Sequence, residues 1–341
     1  MAGVSRQAVS AVESGLSDPS LRVALALSRA LGLTAEELFG PAVPEPVVPV
    51  RPVEPLGKPG SRVSLAPVGD YFVALPLSGQ SARRVGFAPA GGKLTGRDAV
   101  VPLGPPRPTL VVAGCDPALP LLERPLSLLE PPVAFLWWPC GSEDALSLAS
   151  EGLVHVAGAH LRGPAGDYNT APVAELLPGG GEVIGFCSWR EGLALRPELR
   201  GRITSLADVA EAGLRLVNRE PGAEARRLLD RELARHDIAS ERLIGYHTRA
   251  TGHLEVAAAI AAGLADAGVA SEPAALAYGL AFVPLATERF DLVVPTAQVA
   301  SREIHALLRA LSSPWLLDQL ASLPGYTVTQ CGERLATVAR A

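Results

Sequence analysis

Cysteine is scarce in this chain of 341 residues, and the four present (Cys115, Cys140, Cys187 and Cys331) lie far apart. No two form a C-x-x-C pair, which excludes the compact zinc modules built on that spacing. Lysine is scarcer still. Lys58 and Lys93 are the only two, so arginine carries nearly all the positive charge. Charged residues make up 19% and the net charge is −5, which excludes attachment to nucleic acid through the overall field of the protein. Residues 1–40 follow the same balance, with a net charge of −1. Long apolar runs are also missing, so no membrane span is expected. No basic-then-apolar leader opens the chain, and a cytoplasmic location is expected. Catalytic signatures are absent too: there is no G-x-S-x-G, no H-E-x-x-H, no phosphate-binding loop, and no G-x-G-x-x-G after a strand. An enzyme is therefore not expected, and neither a cofactor nor a metal ligand set is legible.

Apolar residues are plentiful at 48%, enough for a sizeable core and two domains with a small extra module. Residues 1–40 read as helices. Ser5 is placed to cap a helix running to about Ser14, with Val4, Ala8, Val9 and Val12 on one stripe and Gly15 as its stop. Asp18-Pro-Ser20 opens a second helix, Leu21 to Leu31, ending at Gly32, and Thr34 with Glu37 forms a capping box for a last helix to Phe39. Residues 41–60 hold seven prolines and read as a stiff linker. Residues 61–107 alternate polar and apolar and read as short strands. From 108 to 341 the pattern is strand–loop–helix, which argues a parallel α/β sheet. Strand crossings near 184–195 and 282–295, each read as a pair of strands, imply two α/β lobes joined by a hinge.

Two stretches carry a resemblance. "AGVSRQAVSAVESGLSDPSLRVALALSRALGLTAEELFG" resembles the Cro/repressor-like (XRE) helix-turn-helix family from the end of its second helix through its fifth. The resemblance implies that Ser5, Arg6, Gln7 and Ser10 face DNA bases. It also implies that two bracing helices belong upstream, supplied by a longer native chain. "AGCDPAL", "VHVAGAHLR", "LVNREPGAEARRLLD", "HLEVAAAIAAGLADAG" and "LPGY" are similar to type II periplasmic-binding-protein-like domains, of the kind fused to such segments or to molybdopterin-biosynthesis proteins. That resemblance implies a dimeric one-component regulator. Its ligand would be a small molecule or oxyanion, of the molybdate or tungstate class. The alternative is a cytosolic oxyanion or molybdenum-cofactor-precursor binder with a vestigial helix-turn-helix. The family's usual Ser-Gly after "PG" is Ala223-Glu224 here, a departure at a hydroxyl contact.

Several residues are candidates for the ligand site. In "NREPGAEARR" the turn leads into a helix, whose free N–H groups at Gly222, Ala223 and Glu224 are placed to hold an oxyanion, with Asn218, Arg219 and Arg226 beside them. Gly114, Cys115 and Asp116 follow a strand, and ligands bind beyond the carboxyl ends of parallel strands. Asp116 has the competing role of capping the next helix, and Cys115 is the cysteine expected to be exposed in the cleft. His155 reads as a core histidine and His160 as a cleft residue. Thr251, close to His253, and Asp266 each divide between helix cap and ligand contact. Trp189 and Arg190 stand at the presumed crossover.

Overall fold

The computed structural model describes residues 4–39, 46–79, 88–163 and 166–339. Residues 41–45 of the expected linker and 80–87 of the expected strand segment lie outside them. The chain divides into two compact units, residues 1–46 and 47–341.

The first unit holds α1 (Arg6–Glu13), α2 (Leu21–Leu31) and α3 (Ala35–Phe39). Ser5 accepts the Ala8 N–H and Ser20 the Val23 N–H, so each helix satisfies an otherwise orphaned donor. Gly32 closes α2 at φ 70°, a backbone conformation that favours glycine. Apolar cover is thin. No residue of α1 is buried, and in α2 only Ala24 and Ser28 are. Leu16, Leu21 and Leu31 are 83%, 75% and 62% exposed.

The second unit begins with a closed five-stranded barrel: β1 (Val48–Pro52), β2 (Arg62–Val68), β3 (Tyr71–Pro76), β4 (Gly92–Leu94) and β5 (Ala99–Pro102). This corrects the linker reading of residues 41–60 at residues 48–52. The prolines of β1 occupy a strand whose neighbours β3 and β5 still pair with it. Val50, Val63, Ala74, Leu94 and Val100 fill the barrel. Ala66, Val68, Val73 and Leu75 pack outward with Val111 and Ala113 of the next strand, so the barrel shares a core with the lobe that follows.

A nine-stranded sheet organises the rest. It comprises β6 (Thr109–Ala113), β7 (Ala134–Trp138), β8 (Val156–Ala159), β9 (Gly181–Leu195), β10 (Leu216–Arg219), β11 (Arg249–Ala250), β12 (Ala267–Ser271), β13 (Ala281–Pro295) and β14 (Arg334–Val338). The order is β11-β10-β12-β9-β13-β8-β6-β7, with β14 on β9. Within the first lobe β6, β7 and β8 are parallel, and within the second so are β10, β11 and β12. The sheet as a whole is mixed, because β9 and β13 run antiparallel to each other and to their neighbours. This corrects the all-parallel expectation. The two expected strand pairs are also single strands of 15 residues each. Gly192 shows why β9 continues unbroken. A Cβ there would collide with the Val283 carbonyl, so this glycine serves a close strand approach rather than a turn.

Helices α4 (Glu123–Ser127), α5 (Ser142–Ser150), α6 (Thr170–Leu176), α7 (Leu206–Glu211), α8 (Glu224–Arg235), α9 (His253–Ala261), α10 (Glu272–Ala277), α11 (Arg302–Leu311) and α12 (Pro314–Ala321) complete the two lobes. The second unit is thus a two-lobed α/β fold, its lobes spanned by β9 and β13. Among the described residues no helix is long and apolar enough to cross a membrane.

Candidate ligand cleft between the lobes

Strand alternation builds the floor of the cleft. On β9, Cys187, Trp189 and Glu191 share one parity and are all buried, while Arg190 between them is exposed. On β13, Glu288 pairs in register with Trp189, and Phe290 follows at the same parity. Gly158 of β8 has no side chain because a Cβ would strike the Phe290 ring. Trp189 packs 5.2 Å from Phe290 and stacks on Tyr326 at 5.9 Å. Carboxyl ends of parallel strands supply the walls: Cys115 after β6, His160 after β8, Arg219 at the end of β10 and Ser271 at the end of β12. His253, the first residue of α9, enters beside Ser271.

The walls meet closely. The His160 ring lies 5.2 Å from Trp189 and 6.1 Å from His253. Glu191 bridges the two imidazoles, 3.9 Å from His160 Nδ1 and 3.7 Å from His253 Nδ1. His253 Nδ1 accepts the Ser271 N–H at 3.2 Å and lies 3.3 Å from Arg219 Nη1. With Nδ1 an acceptor, the neutral ring carries its proton on Nε2. Arg219, 1% exposed, is held by Glu220 through two hydrogen bonds of 2.8 and 2.9 Å.

Burial governs the charge states. It drives His160 down to about 3, with Arg219 and Arg231 adding to the effect, and drives His253 well below its usual range. Both rings are neutral at pH 7. Burial pushes the Cys115 thiol up to about 12, so it is no thiolate nucleophile. Burial, and then Glu288, raise Glu191 well above the carboxylate range; burial, and then Glu224, raise Glu288 to about 7. Burial opposes the charge of Arg219, but the Glu220 bonds outweigh it and hold the guanidinium cationic.

Unmet hydrogen-bonding capacity is concentrated here. Among the described residues, His160 Nδ1, Trp189 Nε1, both Glu191 oxygens, His253 Nε2, Ser271 Oγ and both Glu288 oxygens are buried with no hydrogen-bond partner. Each such group costs on the order of 1–3 kcal/mol. Spread over the floor and the walls, the cluster is a candidate site for a ligand that supplies the missing partners.

The structure sorts the sequence candidates. Cys115, His160 and Arg219 come together in the cleft. Cys115 is buried, so the expectation of an exposed cysteine is corrected; Cys331 is the more open one. The turn before α8 is not the free anion cradle expected of Gly222, Ala223 and Glu224. The Ala223 N–H donates to the Glu220 carbonyl, and Gly222 lies so close to Glu143 that a Cβ would come within 2.6 Å of its carboxylate. The Glu224 side chain is fully buried and paired with Arg231. The carboxylates of Glu143 and Glu224 thus already stand near the positive end of the helix, where an anion would have to enter. Arg226 stacks on Tyr246 and donates to the Arg219 carbonyl, away from the cleft.

Five more candidates hold structural contacts. Asn218 bonds the Tyr246 carbonyl and the Arg219 N–H. Asp116 accepts from the Ala118 N–H, Tyr326 and Cys187. Asp266 pairs with Arg215 and Arg196. The Thr251 N–H is taken by Glu255, and Gly252, not Thr251, is the N-cap of α9. The Gly114 N–H is spent on the Trp138 carbonyl. His155 accepts the Val111 N–H, as a core histidine does. Arg190 forms a bidentate pair with Glu272, joining β9 to α10. Sequence reasoning passed over Glu191, Glu288 and Ser271 as site residues. Their signal was polarity at a buried strand parity. In the first unit, Ser5, Arg6, Gln7 and Ser10 all lie exposed on or beside α1.

Comparison with known proteins agrees with this architecture. Residues 1–38 match the helix-turn-helix family model, and residues 124–312 match the PBP superfamily domain. The uncharacterized protein YvgK of Bacillus subtilis is 28% identical over 231 residues, covering 67% of this chain and 73% of that protein. An uncharacterized protein encoded in the 5′ region of a Clostridium pasteurianum 2Fe-2S ferredoxin gene is 29% identical over 107 residues, covering 31% of this chain and 95% of that one. Among solved structures, a periplasmic transporter superposes with a TM-score of 0.50 at 11% identity, covering 68% of this chain and 91% of that chain. The chain carries an N-terminal helix-turn-helix domain and, through residues 124–312, belongs to the PBP superfamily domain family.

Proposed function

We propose that this protein is a one-component transcriptional regulator, with a small ligand bound between its lobes and read out through α1. A helix-turn-helix joined to a PBP-like domain fits a ligand-responsive regulator or binding protein rather than an enzyme. The observation that carries the ligand half is the set of buried, unpartnered polar groups of His160, Trp189, Glu191, His253, Ser271 and Glu288. The DNA half rests on Ser5, Arg6, Gln7 and Ser10, exposed at the N-terminal end of a capped helix, the end that meets base edges in such domains. Arginine suits guanine and glutamine suits adenine. A homodimer would present two such helices to half-sites about one DNA turn apart.

A second reading keeps an oxyanion of the molybdate or tungstate class as ligand. The His253 Nε2–H, the Trp189 Nε1–H and the Ser271 hydroxyl favour it, because neutral donors can encircle an anion without a charge of their own. The carboxyls Glu191, Glu220, Glu224 and Glu288, set against Arg219 and Arg231, oppose it.

The test uses the full chain. Selection from a random duplex pool should enrich one sequence, and Arg6→Ala and Gln7→Ala should abolish the enrichment while leaving the circular dichroism unchanged. The cognate ligand should then shift operator affinity about fivefold or more. A wild-type chain that enriches no sequence refutes the DNA-reading half.

A further inference from the structure

We propose that His160, Glu191 and Glu288 form a site for one divalent transition-metal cation, of the Mn2+, Co2+ or Zn2+ kind, within the cleft. This deepens the ligand-site reading above and rests on it. One donor atom from each of the three residues lies within 4.8 Å of the other two, and all three side chains are fully buried. Tetrahedral or octahedral donors around such an ion sit about 3–3.7 Å apart, given bond lengths of about 2.0–2.2 Å. A small contraction of the cleft brings the set to that spacing. None of the five donor atoms (His160 Nδ1, two on Glu191, two on Glu288) has a hydrogen-bond partner among the described residues. Imidazole nitrogen with two carboxylates is a donor set that these dications accept, and three protein donors leave positions open for water or a second ligand.

A competing set, Cys115, His160 and His253, is equally close in space. Its chemistry is worse. His253 Nδ1 already accepts the Ser271 N–H and faces Arg219, so Nε2 bears the proton and has no lone pair to give. Nothing similar encumbers His160, whose Nδ1 faces Glu191. The surrounding charge agrees. Arg219 is taken by Glu220, and Arg231, 3.8 Å from Glu288, is taken more closely by Glu224. The Tyr168 hydroxyl donates to the Thr287 carbonyl beside Glu288. Both arginines are thus shared with other carboxylates, and four carboxyls (Glu191, Glu220, Glu224 and Glu288) face two guanidiniums, a surplus that one dication reduces and a dianion would aggravate. The three donors come from the first lobe and from both strands that span the lobes. A bound cation would therefore tie the lobe to its hinge, which is the coupling a sensor requires.

The experiment is calorimetric titration of the chelator-treated full chain with MnCl2, CoCl2 and ZnCl2, with sodium molybdate as a parallel arm. The expected result is one equivalent of cation per chain, quenching of the tryptophan fluorescence, and d–d bands in the Co2+ form. Glu191→Gln, Glu288→Gln and His160→Asn should each raise Kd more than about tenfold. His236→Asn and His247→Asn, altering histidines outside the cleft, should leave it unchanged. Thermal unfolding of each apo variant verifies that it is folded. Saturation that survives both glutamine variants overturns the proposal, because the ion then sits elsewhere. Molybdate binding without cation binding also overturns it, yet leaves the cleft as a ligand site. If folded Glu191→Gln and Trp189→Phe change the affinity of neither class of ligand, the cleft reading itself fails.

Discussion

His155 offers a clean test of how burial sets charge in the first lobe. His155 is 2% exposed, its Nδ1 accepts the Val111 N–H at 3.1 Å, and its backbone N–H donates to the Val111 carbonyl at 3.0 Å. Burial lowers its pKa from 6.5 to about 4. In the unfolded chain the ring regains the ordinary value. Between pH 6.5 and 4 the unfolded state binds a proton that the folded state refuses, so stability falls as pH falls through that window and is complete above it. The loss works out at about 2 kcal/mol at pH 5 and about 3 kcal/mol below pH 4. His155→Asn is the perturbation, since its side-chain oxygen can still accept the Val111 N–H but cannot titrate. Urea denaturation of both proteins at pH 7 and pH 5 is the assay. The wild type should lose about 2 kcal/mol more than the variant between the two, equivalent to roughly 3 °C in Tm for a unit of this size. Other groups titrate in both proteins and cancel in the difference. Parallel losses would refute the reasoning: they would mean that the folded ring takes up its proton as readily as the unfolded one, and that the Val111 bond does not hold it neutral.

Three further outcomes follow from particular contacts. Gly158→Ala should cost about 1–3 kcal/mol, because its methyl group enters the Phe290 ring, and Phe290→Leu in the same chain should recover part of that loss in thermal melts. Arg226→Ala should leave cleft-ligand affinity within twofold by calorimetry, since its guanidinium is spent on Tyr246 and the Arg219 carbonyl; a tenfold loss would restore the α8 turn as the ligand loop. Ser5→Ala should lower the helicity of α1 and weaken operator binding, because the cap on Ala8 is lost at about 1 kcal/mol, whereas Ser5→Thr should leave both nearly unchanged in circular dichroism and mobility-shift assays.

The regular elements were largely legible because their signals are local. Ser5, Ser20 and Gly32 cap the helices that their types announce. The strand–turn–helix run through Val217, Pro221 and Glu224 lies where its pattern puts it. Proline misled at residues 48–52. Its ring forbids a ladder N–H, but β1 alternates, so Pro49 and Pro52 can sit beside bonded residues in a barrel. Local reading also failed at "SWREG" and "LATERF". Each reads locally as a crossing between two strands, yet the pairing of two 15-residue strands, a contact across some hundred residues of chain, carries both segments straight through.

The same long-range pairing explains why the cleft was only half visible. Cys115, His160 and Arg219 are candidates from sequence because each lies at or just after a strand's end, and strand ends announce themselves. Glu191 and Glu288 stand inside strands, where a carboxylate is ordinarily read as a solvated side chain. Parity distinguishes them. Glu191 falls two residues after Trp189, and Glu288 two before Phe290, each on the side of its strand that carries the buried aromatic. A carboxyl fixed on the buried parity of a hinge strand must lose its hydration, keep its proton or take a partner. Two of them, Glu288 opposite Trp189 and Glu191 beside it, cannot both ionise cheaply without a cation. That constraint follows from alternation alone once the strands are known to be unbroken. It is therefore the pairing of β9 with β13, more than any motif, that brings the "WREG" and "ERFD" carboxyls together at the candidate site.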